Sequence, residues 1–266
     1  MRILGIDSSI PGASVALVED GKLLAEEIHA ETAAGRDPYN GPRLGNHAEI
    51  VLPLVQALFD KLHASFQDLA GIAVSIGPGS FTGLRIGLAT AKGMAYESGL
   101  PLVGVSTLEA NAARIIKFHG IIGSVLDARK GEVYLGLFRR DLAETLARLT
   151  LDSVTGIRSA IDLMREYSEI DSALFLVGNG AKAYERQLRE SLGASIMICN
   201  GDAYSSVAAQ VARLAEQRFA AASFDDVGAL TPVYLRASEA ESKKKNLTNL
   251  SSTYEPICVD KATPVR

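Results

Sequence analysis

A chain of 266 residues that is 47% apolar and 22% charged can bury one large core or two of ordinary size. Its net charge of −4 offers no global attraction for nucleic acid, so any RNA it meets is expected to be gripped mostly by a partner. No apolar run approaches the roughly 20 residues needed to span a bilayer, and Asp7 interrupts the apolar start where a signal peptide would continue, so a cytoplasmic protein is expected.

Ile3 to Ser9 reads as a first strand that ends in an acid and two hydroxyls. Ser14 to Val18 is a second strand, Glu19 to Lys22 a hairpin turn, and Leu23 to Ile28 a third strand. An aspartate at such a strand end serves equally well as a turn cap or as a nucleotide ligand. Residues 30 to 45 are rich in Gly, Pro and small polar residues and read as an exposed loop. Asn46, with Glu49 three positions on, has the spacing of a helix cap, and IVLPLVQALFDKL follows, with Pro53 expected to perturb the helix. Its apolar residues cover more than one stripe, so two of its faces call for burial.

Ile72 to Ile76 is a β-branched buried strand stopped by Gly77-Pro78-Gly79. Ser80 or Thr82 opens a helix that runs to Ser98-Gly99, and the amides at its start could hold an anion. Gly83, Gly87, Ala91 and Ala95 recur every four residues, forming a ridge suited to close packing within the chain or against a second subunit. A strand then leads to Ser106, Glu109 to Lys117 is helical, and His119-Gly120 marks a break.

Ile121 to Asp127 repeats the logic of the first strand, with a turn at Ala128 to Gly131 and a return strand at Glu132 to Phe138. Asp7 and Asp127 are thus candidates for equivalent places in two related halves. Ile157 to Tyr167 has helical periodicity, and Ala173 to Val177 is a strand. Gly178-Asn179-Gly180 turns into a helix reaching Ser191, Ser195 to Ile198 is a last strand, and Ala203 to Phe219 is an amphipathic helix with Val207, Val211 and Leu214 on its apolar side. These elements divide into an N-terminal subdomain, 1–106, joined by the helix near 203–219, and a C-terminal subdomain, 107–202. A polar tail at 237–266, carrying Lys243-Lys244-Lys245, is expected to be disordered or docked on a partner. The two cysteines are too far apart in sequence to suggest a disulfide framework, and the four histidines include no i, i+4 pair for a metal.

The segments GIDSS, NHAEIVLPLV, SIGPGSFTGLRIGLATAKGMA, GVSTLEA, LDARKGEVY and PVYLR together resemble the bacterial TsaB (YeaZ) family from end to end. The resemblance implies an α/β actin-like ATPase (ASKHA) fold of two tandem ribonuclease-H-like subdomains. It also implies a part in forming N6-threonylcarbamoyladenosine at position 37 of tRNAs that read ANN codons. The family looks like a paralogue of the catalytic subunit TsaD, whose His-x-x-x-His run holds a metal; Thr107 and Asn111 stand at those two positions here. A hydroxyl and an amide are weak ligands, so neither a metal nor catalysis is expected at that point.

Asp7, Ser8, Asp127, Gly178 and Gly180 keep the character of a degenerate nucleotide site, for ATP or ADP at a subunit interface rather than a tightly bound cofactor. The implied partners are TsaD in a heterodimer, the ATPase TsaE, and tRNA through the complex, with a homodimer formed when the chain is alone. His47, Ile50, Val51, Leu54 and Leu58, with Gly83, Gly87, Ala91 and Ala95, are the expected interface. The alternative is an enzyme acting alone: a phosphotransferase using Asp7 and Asp127 on magnesium-ATP, or a protease-like protein built around His47 and Glu49.

Overall fold

A computed structural model describes residues 1–29, 48–170, 173–193, 196–199 and 206–236. The expected loop at 30–45, the Asn46 cap, His47, the start of the last helix at 203–205 and the tail at 237–266 lie outside the described residues.

The chain begins with β1 (Arg2–Asp7), β2 (Ala13–Glu19) and β3 (Lys22–His29), an antiparallel meander. After α1 (Ala48–Leu62) come β4 (Gly71–Gly77), α2 (Phe81–Ser98) and β5 (Leu102–Ser106), with β4 and β5 joining β1 in parallel. The resulting order is β3-β2-β1-β4-β5. A short helix, α3 (Thr107–Ala113), leads into the second half, where β6 (Gly120–Arg129) and β7 (Glu132–Arg140) form the hairpin, and β8 (Leu146–Arg148) and β9 (Ser153–Gly156) both pair with β7. Then come α4 (Ile157–Ile170), β10 (Leu174–Val177), α5 (Asn179–Ala183), α6 (Glu185–Leu192), β11 (Met197–Ile198) and α7 (Val207–Ala220). The second sheet reads β11-β10-β6-β7-β8, with β6, β10 and β11 parallel, so its wiring repeats that of the first. The likeness that the sequence carries in one hairpin thus extends over a whole sheet, and two tandem ribonuclease-H-like sheets make up the actin-like fold.

Alternation along the first sheet decides what covers each face. Leu4, Ile6, Val15, Leu17, Ile72 and Val74 turn to α1 and α2, whereas Ile3, Val18, Ala73 and Val103 turn to the α7 side. α7 packs on β1, β2, β4 and β5 although it follows the second sheet in the chain. Val207 and Val211 are buried, and Leu214 is half-buried. Pro53 stands inside α1 without ending it.

Three local expectations change. The helix expected at Glu109–Lys117 starts earlier, because Ser106 caps it by accepting the Glu109 N–H at 3.3 Å, and it ends at Ala113. The helix expected over 180–191 is two pieces, broken at Tyr184. β8 and β9, only three and four residues long, are too short for a period to show in sequence. Beyond α7 the chain returns to the first sheet: Asp225 accepts the Gly104 N–H at 2.7 Å, and the Val233 N–H reaches the Ile76 carbonyl at 2.7 Å. Tyr234 stacks on Phe81 at 4.8 Å, and Arg85 donates to its hydroxyl at 2.8 Å. The unpaired edge of β5 is thereby covered.

Candidate functional site

Between the ends of β1 and β6 lies a cleft of about 480 Å³, walled by Ile10, Ala13, Leu126 and Val207, with Asp7, Asn111, Arg114, Gly178, Asn179 and Lys182 as polar or backbone contributors. Asp7 is 1% exposed. Its Oδ1 accepts from the Ser9 hydroxyl at 2.5 Å, the Ser75 hydroxyl at 2.5 Å and the Ser9 N–H at 3.2 Å. Burial pushes its pKa up, opposed by these hydrogen bonds and by the charge of Arg114.

Of the other expected nucleotide residues, Gly178 joins Asp7 in the cleft, whereas Ser8, Asp127 and Gly180 do not. Ser8 is buried, with its hydroxyl donating to the Gly83 carbonyl at 2.8 Å, so it is a fastening of the β1–β2 loop to α2. Asp127 does not line the cleft; its Oδ1 accepts the Arg129 N–H at 2.8 Å and caps the β6–β7 turn. Gly178 does form part of the wall: at φ +111 it passes so close to Val125 that an added Cβ would lie 2.3 Å from the carbonyl oxygen. Gly180 lies in α5 against the backbone of Leu126 and Asp127 rather than in the wall.

A magnesium nucleotide needs carboxylate oxygens free to meet the metal's water shell. Asp7 takes its three donors on one oxygen, and Asp127 is turned to its own hairpin outside the cleft, so the two carboxylates are not brought together around one such group. Nor is the start of α2 an open anion cradle. The Ser80 N–H goes to the Ser9 carbonyl at 2.7 Å, and the Gly83 N–H goes to the Ser80 hydroxyl at 3.2 Å.

Asp7 makes a pH prediction with a definite sign. A carboxyl whose folded pKa is raised holds its proton more tightly when folded, so its ionisation favours unfolding. Asp7→Asn retains a carbonyl oxygen for the three donors and removes the buried charge. The stability of wild type relative to Asp7→Asn is therefore expected to fall as pH rises from the ordinary value of 3.8 through the raised folded pKa, then level off. Urea unfolding of both proteins from pH 4 to pH 8 measures this. A difference that does not change with pH would show that folding does not raise the Asp7 pKa.

Thr107 and Asn111 are both buried. Asn111 donates to the Ser124 hydroxyl at 3.1 Å, and its oxygen accepts from Arg114 at 3.2 Å. Among the described residues no three His, Cys, Asp or Glu side chains are placed to hold a metal. No helix among them is long and apolar enough to cross a membrane.

The expected docking residues are largely spent within the chain. Ile50, Val51 and Leu58 are core residues, and Leu54 is half-buried. The ridge of α2 faces inward: Gly83 and Gly87 lie against Ser8, and Ala91 and Ala95 lie in the core. What remains open is the opposite side of the same helix pair. There Leu52, Phe66, Thr90, Gly93 and Met94 line an apolar groove of about 290 Å³, with Tyr96 85% exposed nearby on α2. Sequence reasoning missed this face because Ala89 and Gly93 interrupt it with residues no larger than those of the buried ridge.

The family model described as TsaD, tRNA N6-adenosine threonylcarbamoyltransferase, matches residues 38–254. The chain is 31% identical to the tRNA threonylcarbamoyladenosine biosynthesis protein TsaB of Bacillus subtilis, over 91% of this chain and 97% of that one. It is 32% identical to the TsaB of Escherichia coli, over 91% and 98%. A tRNA N6-adenosine threonylcarbamoyltransferase of Syntrophus aciditrophicus is 38% identical, but over only 43% of this chain and 35% of its own length. Among solved structures, YeaZ from Pseudomonas aeruginosa superposes with a TM-score of 0.68 at 26% identity, covering 88% of this chain and 99% of that one.

Proposed function

The chain belongs to the TsaB family of tRNA threonylcarbamoyladenosine biosynthesis proteins, and on that premise we propose that it is the non-catalytic subunit of the machinery that forms this base at position 37 of ANN-reading tRNAs. In this reading it docks on TsaD, the ATPase TsaE joins the pair, and tRNA is engaged by the assembly in the cytoplasm. Alone, the chain pairs with a second copy through the same face.

The observation that carries the proposal is the pair Thr107 and Asn111. The resemblance places the metal-holding histidines of the catalytic relative at these positions. Asn111, which lines the cleft, is tied to Ser124 and Arg114, and Thr107 is fully buried. A metal-activated transfer needs strong ligands at fixed spacing, and these two neutral oxygens do not supply them. The phosphotransferase reading has less support: it needs Asp7 and Asp127 in one site, and only Asp7 lines the cleft.

Reconstitution tests the proposal. Unmodified tRNA incubated with TsaD, TsaE and a source of threonylcarbamoyl-adenylate is expected to gain the modification in multiple turnovers only when this chain is added. Equal product without the chain, or metal-dependent ATP turnover by the chain alone that is lost in Asp7→Ala, would overturn it.

A further inference from the structure

The tip of the β6–β7 hairpin carries two basic residues in an uncommon backbone. Arg129 and Lys130 have φ of +63 and +56, and Gly131 follows at +80. Left-handed backbone is uncommon for residues other than glycine, so the fold must hold this turn in place. It does so from two sides. Asp127 accepts the Arg129 N–H, and the Gly131 carbonyl accepts the Ile157 N–H at 3.0 Å.

The second bond places Arg158, the next residue after Ile157, beside the turn. A further hydrogen bond brings in the other basic side chain: the Asp127 N–H donates to the Asn179 oxygen at 3.1 Å, and Lys182 lies three residues on, in α5, at the wall of the cleft. Arg129, Arg158 and Lys182 are all exposed, and none makes a side-chain ion pair or hydrogen bond with a described residue. Arginines elsewhere are held: Arg2 by Glu19, Arg148 by Glu109 and Asp152, Arg189 by Glu185, and Arg218 by Asp225. Positive charge is therefore left uncompensated at one end of the second sheet, on a chain whose net charge is −4.

We propose that this end of the second sheet, through Arg129, Arg158 and Lys182, is a contact for the phosphate backbone of RNA. The inference rests on the reading that the assembly acts on tRNA, and it gives this chain a share of the grip. Exposed guanidinium and ammonium groups bind phosphate by charge and hydrogen bonding without reading base sequence, so the patch would position tRNA rather than select it.

The test uses the assembled complex with TsaD and a labelled unmodified tRNA. The variant Arg129→Asn/Arg158→Gln/Lys182→Gln removes three charges, and asparagine tolerates the left-handed backbone at 129. Its complex is expected to bind tRNA about tenfold or more weakly at moderate salt. The log–log salt slope should be shallower by roughly two to three, about 0.7 to 0.9 for each of the phosphates no longer neutralised. Gel filtration should show assembly with TsaD unchanged. Affinity within twofold of wild type with the same slope would overturn the proposal. So would failure of the variant to assemble with TsaD, since the patch would then be a protein interface. Failure of the wild-type complex to modify tRNA would instead sink the functional reading, so the two failures are separable.

Discussion

Gly83→Val is expected to leave a chain that is largely unfolded, or destabilised by about 3 kcal/mol or more, the upper range for overpacking a buried site. A Cβ on Gly83 would lie 1.9 Å from the Ser8 carbonyl oxygen, and one on Gly87 would lie 2.1 Å from the Ser8 hydroxyl. The first collision is with backbone, which cannot rotate away, and the loop in question is fixed by hydrogen bonds from Ser80 to Ser9 and from Ser8 to Gly83. The same helix supplies the control. At Gly93 an added Cβ meets nothing within 4 Å, so Gly93→Val should fold with stability near wild type or slightly above it, as valine is the better helix former. Urea denaturation of the two variants compares one chemical change on opposite faces of α2. Equal stability would mean that the α2 ridge does not pack on the β1–β2 loop as described.

This pair of glycines also shows where the sequence could be read and where it could not. The bounds of α2 follow from local chemistry: Gly77-Pro78-Gly79 stops the strand, the Ser80 hydroxyl caps the helix, and Gly99 at φ +69 ends it. Those signals lie within a few residues of the positions they control. Which side of α2 faces inward depends on Ser8, far away in the chain, and a small-residue spacing of four serves an internal contact as well as a subunit contact.

Asp7 and Asp127 diverge for a similar reason. They occupy matching ends of β1 and β6, as the repeat implies, but Ser9 and Ser75 enclose the first while the tight Arg129–Gly131 turn engages the second. Ser75 could have been found, since alternation along β4 makes it the polar exception in an apolar strand. Arg114 and Lys182 could not, because only the meeting of the two sheets brings them to one cleft.

Leu52→Asp is expected to have the opposite signature from Gly83→Val: a chain that folds as well as wild type but binds TsaD at least about 100-fold more weakly and no longer supports tRNA modification. Leu52 is 52% exposed, so a carboxylate there is hydrated in the free protein and costs little. In a complex, the groove it shares with Phe66, Gly93 and Met94 would lose its water, and an unpaired charge buried at the centre of an interface is among the costliest changes an interface can suffer. Tyr96, 85% exposed on α2, is of the residue type that dominates such interfaces. Because homodimer and heterodimer would compete for this face, added TsaD should dissolve the homodimer of the wild-type chain, and Leu52→Asp should sediment as a monomer. TsaD binding at wild-type strength by Leu52→Asp would move the docking face elsewhere. The burial of Gly83 and Gly87 would then still rule out the small-residue ridge as its replacement.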